Sequence, residues 1–250
     1  MKRIYKNTVD IDELSIKNFY VKRSIDKIEL DIDAPVVLCG DKDKTKIEEW
    51  TNFEVENRLP LLKLDESSCI LELGCGTGRI SKFLAKDIQA YLGIDYVNEF
   101  IEIAKKRKDI NRASNIHFLN ASFRYIVDNA DKLPTKNKFN RFVISGGVLM
   151  YINDKELKHC INKLLDLMEE KSIIYISEPV AIKERLTLNK FYSDDLESEY
   201  SAIYRTCSEY EEIFKPFLES GFKLKMSEEF FYNDIKLQKE TKQWMFILKR

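Results

Sequence analysis

The chain has 250 residues, 44% of them hydrophobic and 33% charged, and is therefore long enough to bury a substantial core. Its 41 lysine and arginine residues balance 42 aspartate and glutamate residues, so no basic excess indicates a nucleic-acid partner. No apolar stretch reaches the roughly 18 residues that a membrane-spanning helix needs. We therefore expect no membrane partner and no signal segment.

The five cysteines are widely spaced and include no C-x-x-C pair, which disfavours both a disulfide framework and a zinc site. We expect reduced thiols, a cytoplasmic location and no metal. Glycine is scarce in this chain, yet 3 of its 8 glycines lie between positions 74 and 78. That cluster stands out from the background composition.

Residues 1–66 form a polar N-terminal leader, which we expect to cap the domain that follows, and they include a helical pattern over 46–64. From residue 67 onward, short apolar segments alternate with helical ones. The predicted strands are 69–73, 90–94, 116–119, 139–145 and 172–177, and the predicted helices are 77–86, 97–108 and 154–168. Asp154 is the predicted N-cap residue of the last of these helices.

Alternating strands and helices indicate a parallel sheet covered on both faces. The C-terminal part differs: a helix over 210–220 ends before Gly221, and strands over 222–231 and 243–249 are joined by a loop alone. This order predicts an antiparallel hairpin on the edge of the sheet. Residues from about 180 to 207 lack the core-strand pattern. We expect them to form a lid over the carboxyl edge, where open α/β sheets bind ligands, within a domain spanning 67–250.

The sharpest motif is the turn Glu72-Leu-Gly-Cys-Gly-Thr-Gly, which follows the first predicted strand of this domain. Glycines allow a sharp turn and a close approach of the backbone to a ligand. Asp95 ends the next strand, about 20 residues after Gly74. At this spacing a carboxylate can accept hydrogen bonds from both hydroxyls of a ribose.

With an acid at 72 and glycines at 74, 76 and 78, the turn resembles the first motif of the class I S-adenosylmethionine (SAM)-dependent methyltransferases. The resemblance covers about residues 66–178, and the predicted hairpin agrees with the reversed last strand of that family. It implies a Rossmann-like α/β fold with a seven-stranded, mostly parallel sheet and helices on both faces. Two alternatives stay open for the turn: a nicotinamide dinucleotide site, whose third glycine would lie one residue later, and a degenerate turn that binds nothing.

The resemblance also implies which residues hold SAM. The glycine-rich backbone would lie against the methionine and ribose parts, and Glu72 would lie near the methionine ammonium. Asp95 would bind the ribose with Tyr96 beside the adenine, and the residues that follow the third and fourth strands would complete the site. The predicted cofactor-binding set is Glu72, Gly74, Cys75, Gly76, Thr77, Gly78, Arg79, Asp95, Tyr96, Asn120, Ala121, Ser122, Ser145 and Gly146.

Methyl transfer requires a nucleophile aligned about 3 Å from the methyl group, exclusion of water and, for some acceptors, a base. Tyr151 and Glu178 follow the fourth and fifth strands, and they are the predicted catalytic residues. Glu178 could alternatively close its strand together with Pro179. The two histidines, His117 in a strand and His159 on a helix, are expected in structural roles.

The predicted lid contains arginine and tyrosine side chains, which can together hold a phosphate or a carboxylate. The predicted substrate-binding set consists of Trp50 from the leader with Tyr192, Tyr204 and Arg205 from the lid. The alternative is a solvated lid surface whose aromatic rings are structural. Position 145 carries no metal-binding acid, and the sequence after it is not the Asn/Asp-Pro-Pro-aromatic motif of amino-group methyltransferases.

We therefore expect methyl transfer to an oxygen or nitrogen of a small polar metabolite by a monomer or homodimer. The chain also resembles small-molecule methyltransferases of bacterial capsule and surface-polysaccharide pathways, which implies a sugar- or phosphate-bearing precursor as acceptor. Two alternatives stay open: a peptide or protein N-methyltransferase, and a non-catalytic SAM-binding regulatory subunit.

Overall fold

The computed structural model describes residues 2–27, 44–107, 109–110, 114–135, 138–193, 196, 198–231 and 240–250, without the side chains of 25–27 and 44–46. Residues 28–43 of the predicted leader lie outside the described residues. In the part that is described, no helix is both long and apolar enough to cross a bilayer.

The described strands, in chain order, are β1 (Lys2–Tyr5), β2 (Cys69–Leu73), β3 (Ala90–Asp95), β4 (Ile116–Asn120), β5 (Phe139–Ile144), β6 (Met168–Ala181), β7 (Leu186–Ser193), β8 (Ser198–Tyr204), β9 (Lys223–Glu229) and β10 (Thr241–Lys249). The α-helices are α1 (Glu13–Lys27), α2 (Lys44–Asn57), α3 (Ser81–Leu84), α4 (Asn98–Lys106), α5 (Phe123–Asp128), α6 (Asp154–Leu164), α7 (Cys207–Ile213) and α8 (Lys215–Glu219). Short 3₁₀ turns follow at Leu59–Leu62, Ala130–Lys132, Leu149–Tyr151 and Leu165–Leu167.

The main sheet has seven strands in the order β4-β3-β2-β5-β6-β10-β9. Strands β2 to β6 pair in parallel, whereas β10 pairs antiparallel with both β6 and β9. This arrangement confirms the predicted seven-stranded, mostly parallel sheet with an antiparallel C-terminal hairpin. Within the main sheet, the chain first forms β2, continues through β3 to β4 at the edge, and then returns to form β5 on the other side of β2. The carboxyl ends of β2 and β5 therefore border the switch point at which open α/β sheets bind ligands.

The central strands of the main sheet contribute to a core cluster on each face, because successive side chains of a strand point to opposite faces. Ile70, Tyr91, Val143 and Tyr175 belong to one core cluster, together with residues of the first 3₁₀ turn and α3. The larger cluster, on the other face, contains Leu71, Leu92, Phe142, Ile174 and Phe246 with residues of α5 to α8.

A second, antiparallel sheet has the order β1-β7-β8. Strands β7 and β8 lie within the predicted lid region, 180–207, although the sequence analysis predicted no strands there. Strand β1, from the predicted leader, pairs with β7 from Lys2↔Asn189 to Tyr5↔Leu186. Helix α1 contacts β8 and α4. Segments far apart in sequence thus form one layer beside the main sheet.

Several predicted boundaries were wrong for identifiable reasons. The helix predicted over 77–86 is reduced to α3, since the glycine turn extends past Gly78. Pro60 lies in a 3₁₀ turn, so the helix predicted over 46–64 ends at Asn57. Strand β6 is far longer than predicted because the charged segment 169–171 masked its start.

Asp154 was wrongly predicted as the N-cap of α6. Asn153 occupies that position, without a capping hydrogen bond from its side chain. The Asp154 carboxylate instead forms ion pairs with Arg205, at 2.6 Å, and with Arg185, at 2.9 Å. Long-range charge pairing therefore overrides the local capping preference.

Phe217 on α8 is fully buried in the larger core cluster, whereas the next residue, Leu218, is 39% exposed. We expect Phe217→Ala to lower the free energy of unfolding by about 3–5 kcal/mol, because it removes a ring and leaves a cavity. Leu218→Ala should cost less than about 1 kcal/mol. Urea denaturation of both variants measures the difference; equal losses would show that the C-terminal core is not packed as described.

Candidate functional site

A cavity of about 270 Å³ opens at the carboxyl edge of the main sheet. Its walls come from the segments that follow β2, β3, β4 and β5, and helix α1 lines it with Glu13, Leu14, Lys17 and Tyr20. Of the predicted site residues, the cavity wall brings together Gly74, Gly76, Asp95, Tyr96, Ala121, Ser122, Ser145, Gly146 and Tyr151.

The glycine turn leaves β2 with its backbone held against β3. The amides of Gly74 and Cys75 both donate to the Ile94 carbonyl, at 2.8 and 2.9 Å. Gly74 has φ 71° and Gly76 has φ 54°, values that L side chains rarely adopt. A Cβ at Gly74 would also lie 2.4 Å from Cγ2 of Val148. Position 74 therefore requires glycine for two independent reasons.

Asp95 lies in the cavity wall and is only 8% exposed. Its carboxylate accepts hydrogen bonds from the backbone amides of Gly76, at 3.0 Å, and Val97, at 2.9 Å. Burial raises the pKa of this carboxyl to about 6. Asn120 lies behind it and donates from its side chain to the Asp95 carbonyl. A carboxylate fixed in this way can accept hydrogen bonds from hydroxyl groups of a ligand in the cavity.

Glu72 lies beneath the glycine turn rather than in the cavity wall. Its carboxylate accepts hydrogen bonds from the Tyr91 hydroxyl and, at 2.9 Å, from the Ser81 hydroxyl. Burial raises the pKa of Glu72 to about 7. Cys75, Thr77 and Gly78 also lie in the turn but outside the cavity wall, and burial raises the pKa of the Cys75 thiol.

Arg79 belongs to a buried polar network that joins α2 to the end of β5. Its guanidinium donates to Thr51 Oγ1 at 2.9 Å and to Glu54 Oε2 at 3.3 Å. The Ser145 hydroxyl donates to Glu54 Oε1 at 2.6 Å. Because Ser145 also lines the cavity, this network supports one end of it from behind.

Tyr151 connects the cavity with α1 and the second sheet. Its hydroxyl accepts a hydrogen bond from Tyr20 of α1 at 2.7 Å and lies 2.8 Å from the hydroxyl of Tyr200 on β8. The Tyr151 ring packs edge-on against both partners, with centroid separations of 5.5 and 6.2 Å. Neither Tyr20 nor Tyr200 belongs to the site predicted from the sequence. The signal available for Tyr20 was the helical spacing of Glu13, Lys17 and Tyr20 on one face.

Glu178 and Arg205 lie behind the cavity wall, and both are fully buried. Glu178 Oε1 accepts hydrogen bonds from the amides of Val148, at 2.5 Å, and Leu149, at 2.7 Å. Arg205 donates to the carbonyls of Leu149, at 2.8 Å, and Ile152, at 2.7 Å. Burial raises the pKa of Glu178 to about 7. Both side chains thus contact the turn that carries Tyr151.

The other predicted substrate-binding residues lie away from the cavity. Trp50 is 36% exposed and packs near Phe231, with ring centroids 5.7 Å apart. Tyr192 is 42% exposed on β7, and Tyr204 packs against the apolar cluster of the second sheet. Among the side chains that the structure describes, no group of three or more His, Cys, Asp or Glu is placed to hold a metal ion.

Comparison with curated proteins finds partial similarity to two kinds of methyltransferase. The chain is 30% identical over 114 residues to 23S rRNA (uracil(1939)-C(5))-methyltransferase RlmD of Aliivibrio fischeri, an alignment covering 45% of this chain and 26% of that protein. It is 29% identical over 120 residues to phosphoethanolamine N-methyltransferase of Triticum aestivum, covering 48% of this chain and 22% of that protein. The matched segment is thus about a quarter of the length of these relatives.

Comparison with solved structures gives matches over almost the whole chain. Phosphoethanolamine N-methyltransferase 1 of Haemonchus contortus, in complex with phosphoethanolamine and S-adenosylhomocysteine (SAH), matches with a TM-score of 0.68 and 16% identity over 95% of this chain and 48% of that one. Magnesium protoporphyrin IX methyltransferase of Synechocystis, with bound SAM, matches with a TM-score of 0.61 and 14% identity over 98% of this chain and 99% of that one. At these identities the matches show a shared fold.

Residues 64–249 match the family described as a methyltransferase domain. This range contains the main sheet, the glycine turn and Asp95, and it covers most of the chain. The chain therefore belongs to the methyltransferase-domain family and has the fold of the SAM-dependent methyltransferases.

Proposed function

We propose that this protein transfers the methyl group of SAM to an oxygen or nitrogen of a small polar metabolite. One observation carries the proposal: a single cavity has the glycine turn and Asp95 in one part of its wall and the paired hydroxyls of Tyr20 and Tyr151 in another. The first group suits a nucleoside with an amino-acid tail. The second suits a polar acceptor.

The residues of the cofactor half fit SAM. Gly74 and Gly76 present backbone without side chains to the cavity, which leaves room for a ligand in close contact. The Asp95 carboxylate is held in place by two amides and can accept hydrogen bonds from ribose hydroxyls. SAM supplies an activated methyl group on a sulfonium, so the protein needs chiefly to align the acceptor and exclude water.

The acceptor half lies beside helix α1. Helix α1 lines the cavity, and its Tyr20 is only 7% exposed. Tyr151 can exchange hydrogen bonds with an acceptor hydroxyl or amine, because a phenol both donates and accepts. We therefore assign Tyr151 to the orientation of the acceptor, with Tyr20 as its hydrogen-bonded partner. A cavity of about 270 Å³ suits a small molecule better than a peptide segment.

The comparisons add support for a small polar acceptor. The Haemonchus contortus enzyme of similar fold binds phosphoethanolamine together with SAH, and the wheat relative carries the same activity in its name. Amino alcohols and their phosphates are therefore one acceptor class to test. Sugar- or phosphate-bearing precursors of capsular polysaccharide, implied by the sequence resemblance, are the other.

The direct test is a methyl-transfer assay. We expect the purified protein, incubated with methyl-labelled SAM, to form SAH and a labelled product with a member of a panel of amino alcohols, phosphobases, sugar phosphates and nucleotide sugars. A labelled peptide from a peptide panel would favour the protein N-methyltransferase alternative. SAH bound tightly without turnover on any acceptor would favour the regulatory alternative, and failure to bind SAM or SAH would overturn the proposal.

We expect Gly76→Val to abolish SAH binding measured by isothermal titration calorimetry, because a branched side chain would enter the cavity from a residue at φ 54°. The matched control is Gly221→Val. Gly221 also has positive φ, at 98°, but lies after α8. If the control retains SAH binding while Gly76→Val loses it, backbone strain alone is not the cause; unaltered binding by Gly76→Val would contradict the assignment of the turn.

SAH affinity should depend on the ionisation of Asp95, whose pKa is raised by burial to about 6. The ionised carboxylate accepts hydrogen bonds from ribose hydroxyls, so binding favours that form. Affinity should be constant well above pH 6 and fall by up to about tenfold per unit below it.

Calorimetry of wild type and Asp95→Asn between pH 5 and pH 8, values chosen to bracket that pKa, tests this dependence. Asp95→Asn should bind SAH about 10- to 100-fold more weakly than wild type. Its affinity should not fall between pH 6 and pH 5, whereas that of wild type should. A pH dependence that is identical in both proteins would assign the titration to another group.

A further inference from the structure

The residues 148–152, here called the clamped turn, connect β5 to α6 and include the 3₁₀ turn Leu149–Tyr151. Val148, Tyr151 and Ile152 from this turn line the cavity. The position of the clamped turn therefore sets part of the cavity wall. The contacts that fix it come from two buried charged residues.

Glu178 holds the beginning of the clamped turn. It lies on β6 and directs one carboxylate oxygen to the amides of Val148 and Leu149, at 2.5 and 2.7 Å. Val148 precedes the 3₁₀ turn and Leu149 begins it, so neither amide has a hydrogen-bond acceptor within the turn. The other oxygen, Oε2, is buried and has no described hydrogen-bond partner. The hydrogen bonds described for this carboxylate therefore all run to backbone amides of the clamped turn.

Arg205 holds the end of the same turn. It lies directly after β8 of the second sheet and donates to the carbonyls of Leu149 and Ile152. Asp154, at the start of α6, balances its charge with contacts of 2.8 Å to Nε and 2.6 Å to a terminal nitrogen. The Glu178 carboxylate thus accepts hydrogen bonds from N–H groups of the turn, and the Arg205 guanidinium donates hydrogen bonds to carbonyl groups of the same turn.

The clamped turn contacts functional elements on both sides. Val148 lies so close to Gly74 that a Cβ at that glycine would come within 2.4 Å of Val148 Cγ2. Tyr151 meets Tyr20 and Tyr200 through its hydroxyl. Any displacement of the turn would therefore alter the cofactor half of the cavity through Val148 and the acceptor half through Tyr151.

We propose that Glu178 and Arg205 are positioning residues that hold the clamped turn, and thereby Val148 and Tyr151, in the geometry needed for cofactor binding and methyl transfer. This inference rests on the proposed function of the cavity. It assigns both residues a role other than the one expected from the sequence, which was catalysis for Glu178 and substrate binding for Arg205. Fully buried charges are costly to desolvate, and here each one makes directed contacts with the backbone of a single short turn.

The test compares an isosteric with an apolar replacement of Glu178. Gln can keep an acceptor oxygen toward the two amides, whereas Leu removes it. We expect Glu178→Leu to weaken SAH binding by about tenfold or more, because it leaves two buried amides unpaired. Glu178→Gln should keep the SAH affinity within about threefold of wild type. SAH is the probe, and calorimetry well below the unfolding temperature measures its binding.

Two further measurements separate positioning from general stability. Phe217→Ala, in the C-terminal core, should destabilise the protein but leave the SAH affinity of the folded protein unchanged. Hydrogen exchange of the peptide covering 147–152, followed by mass spectrometry, should accelerate in Glu178→Leu and stay protected in Glu178→Gln. Arg205→Met should likewise accelerate this exchange, because it releases two carbonyls and leaves Asp154 with less positive charge nearby.

The outcomes are distinguishable. Wild-type SAH affinity and unchanged exchange in both Glu178→Leu and Arg205→Met would overturn this inference while leaving the proposed function intact. An equal loss of affinity in Phe217→Ala would also overturn it, because the effect would then follow stability alone. Failure of the wild-type protein to bind SAH would overturn the proposed function and this inference with it.

Discussion

The cavity depends on the close approach of Gly74, which follows β2, to the side chain of Val148, which follows the neighbouring parallel strand β5. Gly74 and Val148 touch so closely that no side chain fits at position 74, and the φ of 71° at that position disfavours any residue but glycine. Both residues line the cavity, so this contact joins two parts of its wall. Asp95 and helix α1 form other parts of the same wall.

Three buried carboxylates near this edge show why a raised pKa does not identify a ligand-binding acid. Burial raises the pKa of Asp95 to about 6 and those of Glu72 and Glu178 to about 7. Only Asp95, of these three, lies in the cavity wall. Glu72 accepts hydrogen bonds from two hydroxyls beneath the glycine turn, and Glu178 from two amides behind the clamped turn. Geometry, rather than the size of the perturbation, distinguishes the acid that can contact a ligand from those that support the scaffold.

Local patterns in the sequence predicted the main sheet, the glycine turn and Asp95, because each depends on residues near one another in the chain. The sequence also allowed the orientation of the Glu72 side chain to be predicted, since alternation along the strand places it on the opposite face from Leu71 and Leu73. The roles of Arg205 and Tyr200 could not be predicted from local patterns, because their hydrogen-bond partners lie about 50 residues away in the chain. Charged residues at 169–171 likewise masked the start of β6, whose pairing with β5 and β10 is a tertiary effect.

The two halves of the cavity differ in what supports their assignment. The cofactor half lies within residues 64–249, which the family match covers. The acceptor half depends on Tyr20 of α1, which lies outside that range, and on Tyr200 of β8, which reaches Tyr151 through the second sheet. Strand β1 and helix α1 join β7 and β8 in one layer. The proposed function therefore assigns acceptor specificity to a layer built partly from the N-terminal segment, so the identity of the acceptor has to be sought from the chemistry of that layer rather than from the shared sheet.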